Sequence, residues 1–142
     1  MFYRYETHLH TSEASRCGES TGAEMARACK KAGYTGLVVT DHFVNANTTV
    51  PADLPWPQRI DLFLLGYEQA RAEGERIGLD VFLGWEYLNR PYGEDYLTYG
   101  LDRSFLLAHP EIESMPFAAY CRLVHDHNGC LLYTSPSPRD YA

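Results

Sequence analysis

The sequence predicts an α/β protein with a parallel sheet, and two observations support that class. Short apolar segments alternate with amphipathic segments in the order strand, helix, strand, helix, strand. Polar residues of metal-binding types stand at the ends of three successive apolar segments. Because parallel strands bring their carboxyl ends to one edge of a sheet, we expect these polar residues to meet there.

The first predicted strand contains Tyr3, Tyr5 and Leu9 and ends in a His-x-His pair. Side chains alternate between the two faces of a strand, so His8 and His10 point in the same direction and can chelate a metal. An isolated pair of this kind also occurs on half-exposed strands that bind nothing. The choice between the two interpretations therefore depends on residues further along the chain.

The first helix is predicted from its two ends. Residues 21–24 (Thr-Gly-Ala-Glu) match a capping box after a polar loop at 11–20, and Gly33 is well placed to end the helix. Residues 36–40 are almost wholly apolar, which is typical of a strand covered on both faces. Asp41 and His42 follow directly.

The next segments repeat this alternation. Residues 45–57 form a proline-containing loop, a helix is predicted over about 58–77 with Gly78 as its stop, and residues 81–86 form a third buried strand that ends at Glu86. A fourth strand is predicted over 95–101, and a last helix begins near Pro116.

Composition limits the class of protein. With 142 residues the chain has room for one domain, and its net charge of −7 disfavours binding to anionic membranes and to nucleic acids. No signal-peptide core or membrane-spanning run is present, and the four cysteines show no CxxC pairing. We therefore expect reduced thiols and a cytoplasmic protein.

Residues 8–11, 33–42 and 84–86 together resemble the motifs of the PHP (polymerase and histidinol phosphatase) domain superfamily. The resemblance covers about residues 3–129. Members of this family look like distorted (β/α)7 barrels with a centre of two or three Zn, Mn or Fe ions that hydrolyses phosphoesters. The resemblance implies that this chain is the N-terminal part of such a barrel with parallel strands, acting on a small phosphorylated substrate.

The resemblance also implies roles for individual residues. His8 and His10 would ligate one metal, and Glu86 would bridge two metals. His42 would ligate a third metal or contact phosphate, so Glu86 and His42 are the predicted catalytic residues. Asp41 would either orient His42 through a carboxylate–imidazole hydrogen bond or cap the following loop.

Two positions depart from the commonest family pattern. Cys17 stands where an Asp or His is common, and it is either a soft ligand for zinc or a structural thiol. Asp95 stands where a His is common, and its carboxylate is able to ligate Mn or Fe. Arg16 and Arg90 are either phosphate contacts or, as is commoner, solvated surface arginines.

Three further histidines are expected to lie outside the site. His109 belongs to an Ala-His-Pro sequence similar to a later ligand motif of the family, but it precedes the helix that normally comes before that motif. His125 and His127 stand at the end of the last predicted helix, where the helix dipole favours a cation on the surface.

The C-terminal residues break the family pattern after Asn128-Gly129. A strand ending in a ligand His and a later Asp-x-His pair would follow in the family, whereas residues 130–140 resemble the translated adapter of a sequencing library. We therefore expect residues 1–129 to be a partial PHP domain and residues 130–142 to be a non-native tail.

The predicted function is metal-dependent hydrolysis of a phosphate ester. Two alternatives belong to other classes: a PHP-like module that has lost catalysis and serves a structural or regulatory role, and another metal-dependent hydrolase such as an amidohydrolase-like barrel. The second alternative also uses a His-x-His on its first strand, but the Thr-Asp-His at 40–42 and the Gly-x-Glu at 84–86 fit it poorly.

Overall fold

A computed structural model describes residues 1–134 and shows a mixed α/β architecture with a curled five-stranded half-barrel sheet. The strands lie in chain order across the sheet. They are β1 (Tyr5–Leu9), β2 (Gly36–Val39), β3 (Asp80–Asn89), β4 (Glu94–Tyr99) and β5 (Cys130–Thr134).

Only the first three of these strands are mutually parallel. β1 pairs with β2 and β2 with β3 in parallel, whereas the β3–β4 and β4–β5 pairs are antiparallel. The expectation of an all-parallel sheet is therefore wrong for β4 and β5. The reason is local: residues 90–93 connect β3 to β4 by a tight turn with Gly93 at φ 67°, and so short a connection can only return the chain antiparallel.

The tail expected to be non-native begins inside this sheet. Residues 130–134 form β5 and pair with β4 along its length, from Tyr99↔Cys130 to Asp95↔Thr134. Residues 135–142 lie outside the described part of the chain.

The helices lie between the strands, and several begin or end where the sequence predicts. They are α1 (Gly22–Lys31), α2 (Trp56–Phe63), α3 (Leu65–Ile77), α4 (Arg103–Ala108), a 3-10 helix (Pro110–Glu113) and α5 (Phe117–Asp126). Thr21 and Glu24 form the predicted capping box, and Gly33 and Gly78 follow their helices with φ of 83° and 71°. No helix within residues 1–134 is long and apolar enough to cross a membrane.

The single helix predicted over 58–77 is two helices that meet at Leu64. This residue has φ −85° and ψ −5°, so the backbone leaves the α-helical geometry for one residue. Because of the break, the two helices pack against different parts of the core. Ile60 and Phe63 of α2 pack in one apolar cluster with Trp85, while Ala70 of α3 packs in a second cluster with Leu37.

The core side of β3 carries buried aromatic side chains whose polar atoms are satisfied. Trp85 Nε1 donates to the Tyr120 hydroxyl at 2.8 Å, and that hydroxyl is 2.7 Å from Thr98 Oγ1. Tyr87 stacks on Tyr120 with ring centroids 3.6 Å apart and donates to the carbonyl of Ile112 at 2.7 Å. These bonds join β3 and β4 to α5 without leaving a buried donor unpaired.

The opposite face of the sheet is less covered than the apolar sequence of β3 predicts. Phe82 is 51% exposed, and Val38, its partner in the parallel pairing, is half-buried. Tyr99 reaches across this face and donates to the carbonyl of Thr7 at 2.7 Å. The prediction that residues 81–86 form a fully buried strand is therefore correct only for its second half.

A buried carboxylate anchors the loop that follows β1. Asp41 Oδ1 accepts hydrogen bonds from the Thr11 backbone N–H (2.6 Å) and from Ser15 Oγ (2.7 Å), and Oδ2 accepts from Thr11 Oγ1 at 2.7 Å. Ser15 Oγ in turn accepts from the His42 backbone N–H at 2.9 Å. Burial raises the pKa of Asp41, and the hydrogen bonds from Thr11 and Ser15 oppose that rise.

Close contact between α1 and α3 depends on two glycines. A Cβ on Gly22 would lie 2.0 Å from the carbonyl oxygen of Gly66, and a Cβ on Gly66 would lie 1.9 Å from Thr11 Oγ1. Neither position therefore accepts a larger side chain without displacement of the backbone or of Thr11.

We predict that Gly22→Ala lowers the free energy of unfolding by about 3 kcal/mol, because its methyl group would meet backbone atoms that cannot move independently. Urea denaturation followed by circular dichroism measures the change. Gly33→Ala is the control: nothing lies within 4 Å of the added Cβ, so only the positive φ contributes, at about 1 kcal/mol. Equal losses in the two variants would contradict the packing explanation.

We also predict that Asp41→Asn lowers the free energy of unfolding by about 2 kcal/mol. An amide presents an N–H pair where the carboxylate accepts from donors, so at least one buried hydrogen bond is lost. Asp53→Asn, in an exposed loop, serves as the control and should leave the unfolding midpoint unchanged. An unchanged midpoint for Asp41→Asn would show that the network around it does not hold the loop.

Candidate metal centre

The carboxyl ends of β1 and β2 and the middle of β3, which runs on to Asn89 rather than ending at Glu86, bring four of the predicted ligands together. His8 and His10 stand at the end of β1, His42 follows β2, and Glu86 lies within β3. Backbone pairing between the second and third of these elements continues beyond β2: Glu86 N donates to the Asp41 carbonyl at 3.0 Å and Phe43 N donates to the Glu86 carbonyl at 2.9 Å. This pairing fixes His42 beside Glu86.

An irregularity in the pairing of β1 contributes to the convergence. The register between β1 and β2 shifts between Glu6 and Leu9, as in a β-bulge, which re-aims the side chains that follow. The buried hydroxyl of Thr40 secures the strand end, since it accepts from Leu9 N at 2.8 Å and lies 3.2 Å from the Leu9 carbonyl oxygen.

Three imidazoles surround the carboxylate of Glu86. His8 Nε2 lies 3.3 Å from Oε1, while His10 Nε2 and His42 Nδ1 lie 2.8 Å and 3.3 Å from Oε2. The His8 and His10 ring centroids are 5.1 Å apart, and those of His10 and His42 are 4.3 Å apart. We call these four residues the Glu86 cluster.

Exposure differs across the Glu86 cluster. The side chains of Glu86 and His42 are 5% and 14% exposed, whereas His8 is 40% exposed. The cluster is therefore open to solvent on the side of His8 and closed at its base by Glu86.

The electrostatics of the Glu86 cluster favour an ionised carboxylate. Burial by itself raises the pKa of Glu86, but the imidazoles of His10, His8 and His42 outweigh burial and hold that pKa well below its ordinary value. The Glu86 carboxylate beside it raises the pKa of His8 against the opposing effect of burial. Each group thus stabilises the charged form of the other.

Cys17 lies on the other side of the His10 ring. Its Sγ is 3.1 Å from His10 Nδ1, whereas His10 Nε2 faces Glu86. His10, Cys17 and His42 form one group whose ligand atoms all lie within 4.8 Å of one another, and His8, His10 and Glu86 form another. The two groups share His10, so they lie side by side.

Asp95 lies near the Glu86 cluster but outside both of these groups within residues 1–134. It is paired with Leu88 and Thr134 in the sheet, and its negative charge contributes to the raised pKa of His8. Thr134 Oγ1 donates to the Asp95 carbonyl at 2.9 Å and lies 3.4 Å from Glu86 Oε1. Strand β5 therefore borders the cluster.

The donor set of the Glu86 cluster suits a divalent transition metal. Three imidazole nitrogens and a carboxylate are the ligand types of zinc and iron sites, and metal–ligand bonds of zinc length put tetrahedral ligands about 3.4 Å apart. The observed nitrogen–oxygen separations of 2.8 to 3.3 Å are slightly shorter. His10 Nε2 is also buried without a hydrogen bond of good geometry, as is typical of an atom whose partner is a cation.

The structure gives Asp41 a role that differs from both sequence-based alternatives. Its carboxylate holds the loop at 11–15, and through Ser15 it positions the backbone of His42. Ser15 had no predicted role, and Thr11 and Thr40 stood within the motifs at 8–11 and 40–42 without a role of their own. Their hydrogen-bonding roles could not be predicted, because their partners are about 30 residues away in the chain.

The two arginines considered as phosphate contacts lie in loops. Arg16 Nε donates to the carbonyl of Thr48 at 2.7 Å, which fastens it to the loop after His42. Arg90 lies in the exposed turn between β3 and β4. Within residues 1–134, His109, His125 and His127 belong to neither of these two groups of ligand-type residues.

No protein-family model matches the sequence, and no curated protein matches it. A crystal structure of a "putative metal-dependent phosphoesterase" from Bifidobacterium adolescentis is similar in fold, with a TM-score of 0.51 and 22% sequence identity. The similarity covers 82% of this chain and 32% of that one, so this chain spans about a third of that protein's length. At this level of identity the comparison establishes a shared fold.

Proposed function

We propose that this chain contributes the metal-binding residues of a metal-dependent phosphoesterase. The observation that carries the proposal is the convergence of three imidazoles, from the ends of β1 and β2, on the buried carboxylate of Glu86 within β3. The likeness in fold to a structure described as a putative metal-dependent phosphoesterase supports the same class of chemistry. A PHP-type barrel is the architecture that we propose for the complete enzyme.

The residues proposed to hold the metal are those of the Glu86 cluster. We propose two or three Zn, Mn or Fe ions, with Cys17 and Asp95 as further ligands beside the cluster. When bound, such ions lower the pKa of a water molecule and neutralise the oxygens of a phosphoester. Glu86 and His42 are the residues that we expect to contact the reacting atoms or the ions directly.

The protein's own groups prepare the site in two ways. The neighbouring imidazoles lower the pKa of Glu86, so its carboxylate is already negatively charged when a cation binds. The Asp41 network fixes the backbone on both sides of the cluster, at Thr11 and at His42. Both features hold the ligand side chains in position in the absence of a cation, so the site is preorganised.

The access route favours a small substrate that enters beside His8. That side chain is the most exposed of the cluster, whereas Glu86 closes the opposite end. A net charge of −7 disfavours long nucleic acids, so we propose a small phosphorylated compound.

The proposal predicts that this chain binds divalent metal, and that the complete enzyme to which it contributes hydrolyses p-nitrophenyl phosphate. Glu86→Gln and His10→Ala should each lower metal affinity about 100-fold or more, because loss of a residue that only supports a ligand already costs 10- to 100-fold. Metal content after dialysis and phosphatase rates measure the effect. His125→Ala, whose side chain is 90% exposed, is the control and should change neither quantity.

Two results would contradict this function. A folded protein without metal and without turnover would favour a structural or regulatory module. A metal-loaded protein that hydrolyses amides or carboxylic esters but no phosphoester would favour another class of metal hydrolase.

The proposed role of Cys17 has a spectroscopic test. If its thiolate ligates the metal, the Co²⁺-substituted protein shows sulfur-to-cobalt charge-transfer absorption in the near ultraviolet, and Cys17→Ser abolishes that absorption. Cys29→Ser, at a buried thiol in the second apolar cluster, is the matched control and should leave the spectrum unchanged. Absence of the band in the parent protein would assign Cys17 a hydrogen-bonding role toward His10 instead.

A further inference from the structure

Two histidines outside the Glu86 cluster lie close together where α4 and α5 end. The ring centroids of His109 and His127 are 5.1 Å apart, and their planes are inclined at 76°. The His8 and His10 rings of the Glu86 cluster have the same centroid separation, 5.1 Å, and an inclination of 65°. The second pair therefore has the same ring separation as the proposed ligand pair His8 and His10.

The hydrogen bonds of this pair determine which nitrogen is available. His127 Nδ1 lies 2.9 Å from the Leu123 carbonyl oxygen, and His109 Nδ1 lies 2.9 Å from Glu111 Oε1. Both partners only accept hydrogen bonds, so each Nδ1 carries the proton. In the neutral imidazoles Nε2 is then the nitrogen with a lone pair. Metal-binding histidines are commonly held in this way, with the other ring nitrogen donating to a carbonyl or carboxylate.

The pair is separate from the Glu86 cluster because it belongs to the other side of the sheet. Both rings contact Phe105, with centroid distances of 4.8 Å to His109 and 5.1 Å to His127. Phe105 stacks on Trp85 at 6.2 Å. Successive residues of a strand point to opposite faces, so Trp85 and Glu86 direct their side chains to different sides of β3.

The surroundings of the pair favour a cation. His127 follows the last residue of α5, where the carbonyl end of the helix dipole is negative. A cavity of about 360 Å³ adjoins both rings, and Asp102 also lines it. The cavity has room for an ion together with water molecules, and it is open to solvent.

We propose that His109 and His127 form a second metal site, which binds a divalent transition ion of the Zn²⁺, Ni²⁺ or Cu²⁺ class through both Nε2 atoms. Within residues 1–134 no third His, Cys, Asp or Glu joins the pair in a compact group of ligands, so water completes the coordination. A two-imidazole site of this kind binds more weakly than the Glu86 cluster. Its ion would connect the end of α4 to the end of α5.

Calorimetric titration of the metal-free protein with Zn²⁺ tests the proposal. The parent protein should show one weak equivalent in addition to any tighter binding at the Glu86 cluster. His109→Ala and His127→Ala should each remove the weak equivalent. His125→Ala, on the same helix but exposed to solvent, is the matched control and should retain it. Glu86→Gln should also retain it, which separates this site from the proposed function.

A further variant tests the orientation of His109. Glu111→Gln offers a weaker and uncharged partner to Nδ1, so the weak equivalent should remain with affinity about 10-fold lower. Copper EPR of the parent should show coupling to two nitrogens at this site, and either histidine variant should remove that signal. Circular dichroism of the metal-free variants checks that the helices persist.

Three outcomes would overturn the proposal. The first is that the parent binds no zinc beyond the Glu86 cluster. The second is that the weak equivalent survives in a His109→Ala/His127→Ala double variant. The third is that His125→Ala removes the weak equivalent as completely as His127→Ala does.

Discussion

The arrangement of this protein depends on one buried negative charge on each of two neighbouring strand ends. Glu86 gathers the three imidazoles, and Asp41 gathers the backbone and hydroxyl donors of the loop that follows β1. Taking two carboxylates out of water is costly unless each finds compensating partners. Asp41 finds them within the chain, in three hydrogen bonds. Glu86 is surrounded mainly by imidazoles, which compensate its charge fully when they share protons or a cation with it. The Asp41 carboxylate therefore has a structural role, whereas the Glu86 carboxylate is the one for which we propose a ligand.

Much of this architecture follows from short-range signals in the sequence. The capping box at Thr21, the glycines after α1 and α3, and the apolar run of β2 each specify a local structure whose physics is contained within a few residues. The antiparallel direction of β4 and the break at Leu64 were not predicted from such local signals. The first depends on the tight turn at residues 90–93, whose Pro91 and Gly93 are turn signals that the prediction of a parallel β4 did not use. The second depends on which of two apolar clusters each half of the helix contacts.

Some features of the candidate site could likewise be predicted from the sequence, and others could not. The four residues of the Glu86 cluster were identifiable because their types and their positions at strand ends coincide, and the structure brings them together. Asp95 is beside the cluster rather than within a compact ligand group, and its membership remains a prediction. The roles of the supporting residues Ser15 and Thr40 could not be predicted, since a hydroxyl acquires such a role only through partners distant in sequence. The pairing of His109 with His127 likewise depends on how two helices end beside each other.

The contact of Gly66 with Thr11 links the helical layer to the candidate metal centre. Thr11 packs against α3 at a point where not even a methyl group fits, and the same residue donates two hydrogen bonds to Asp41. Separation of α3 from the sheet would therefore release the anchor of the loop between His10 and Ser15. The helix and the ligand loop are thus expected to open as one cooperative unit, so slow hydrogen exchange in α3 and retention of the metal would be lost together rather than in succession.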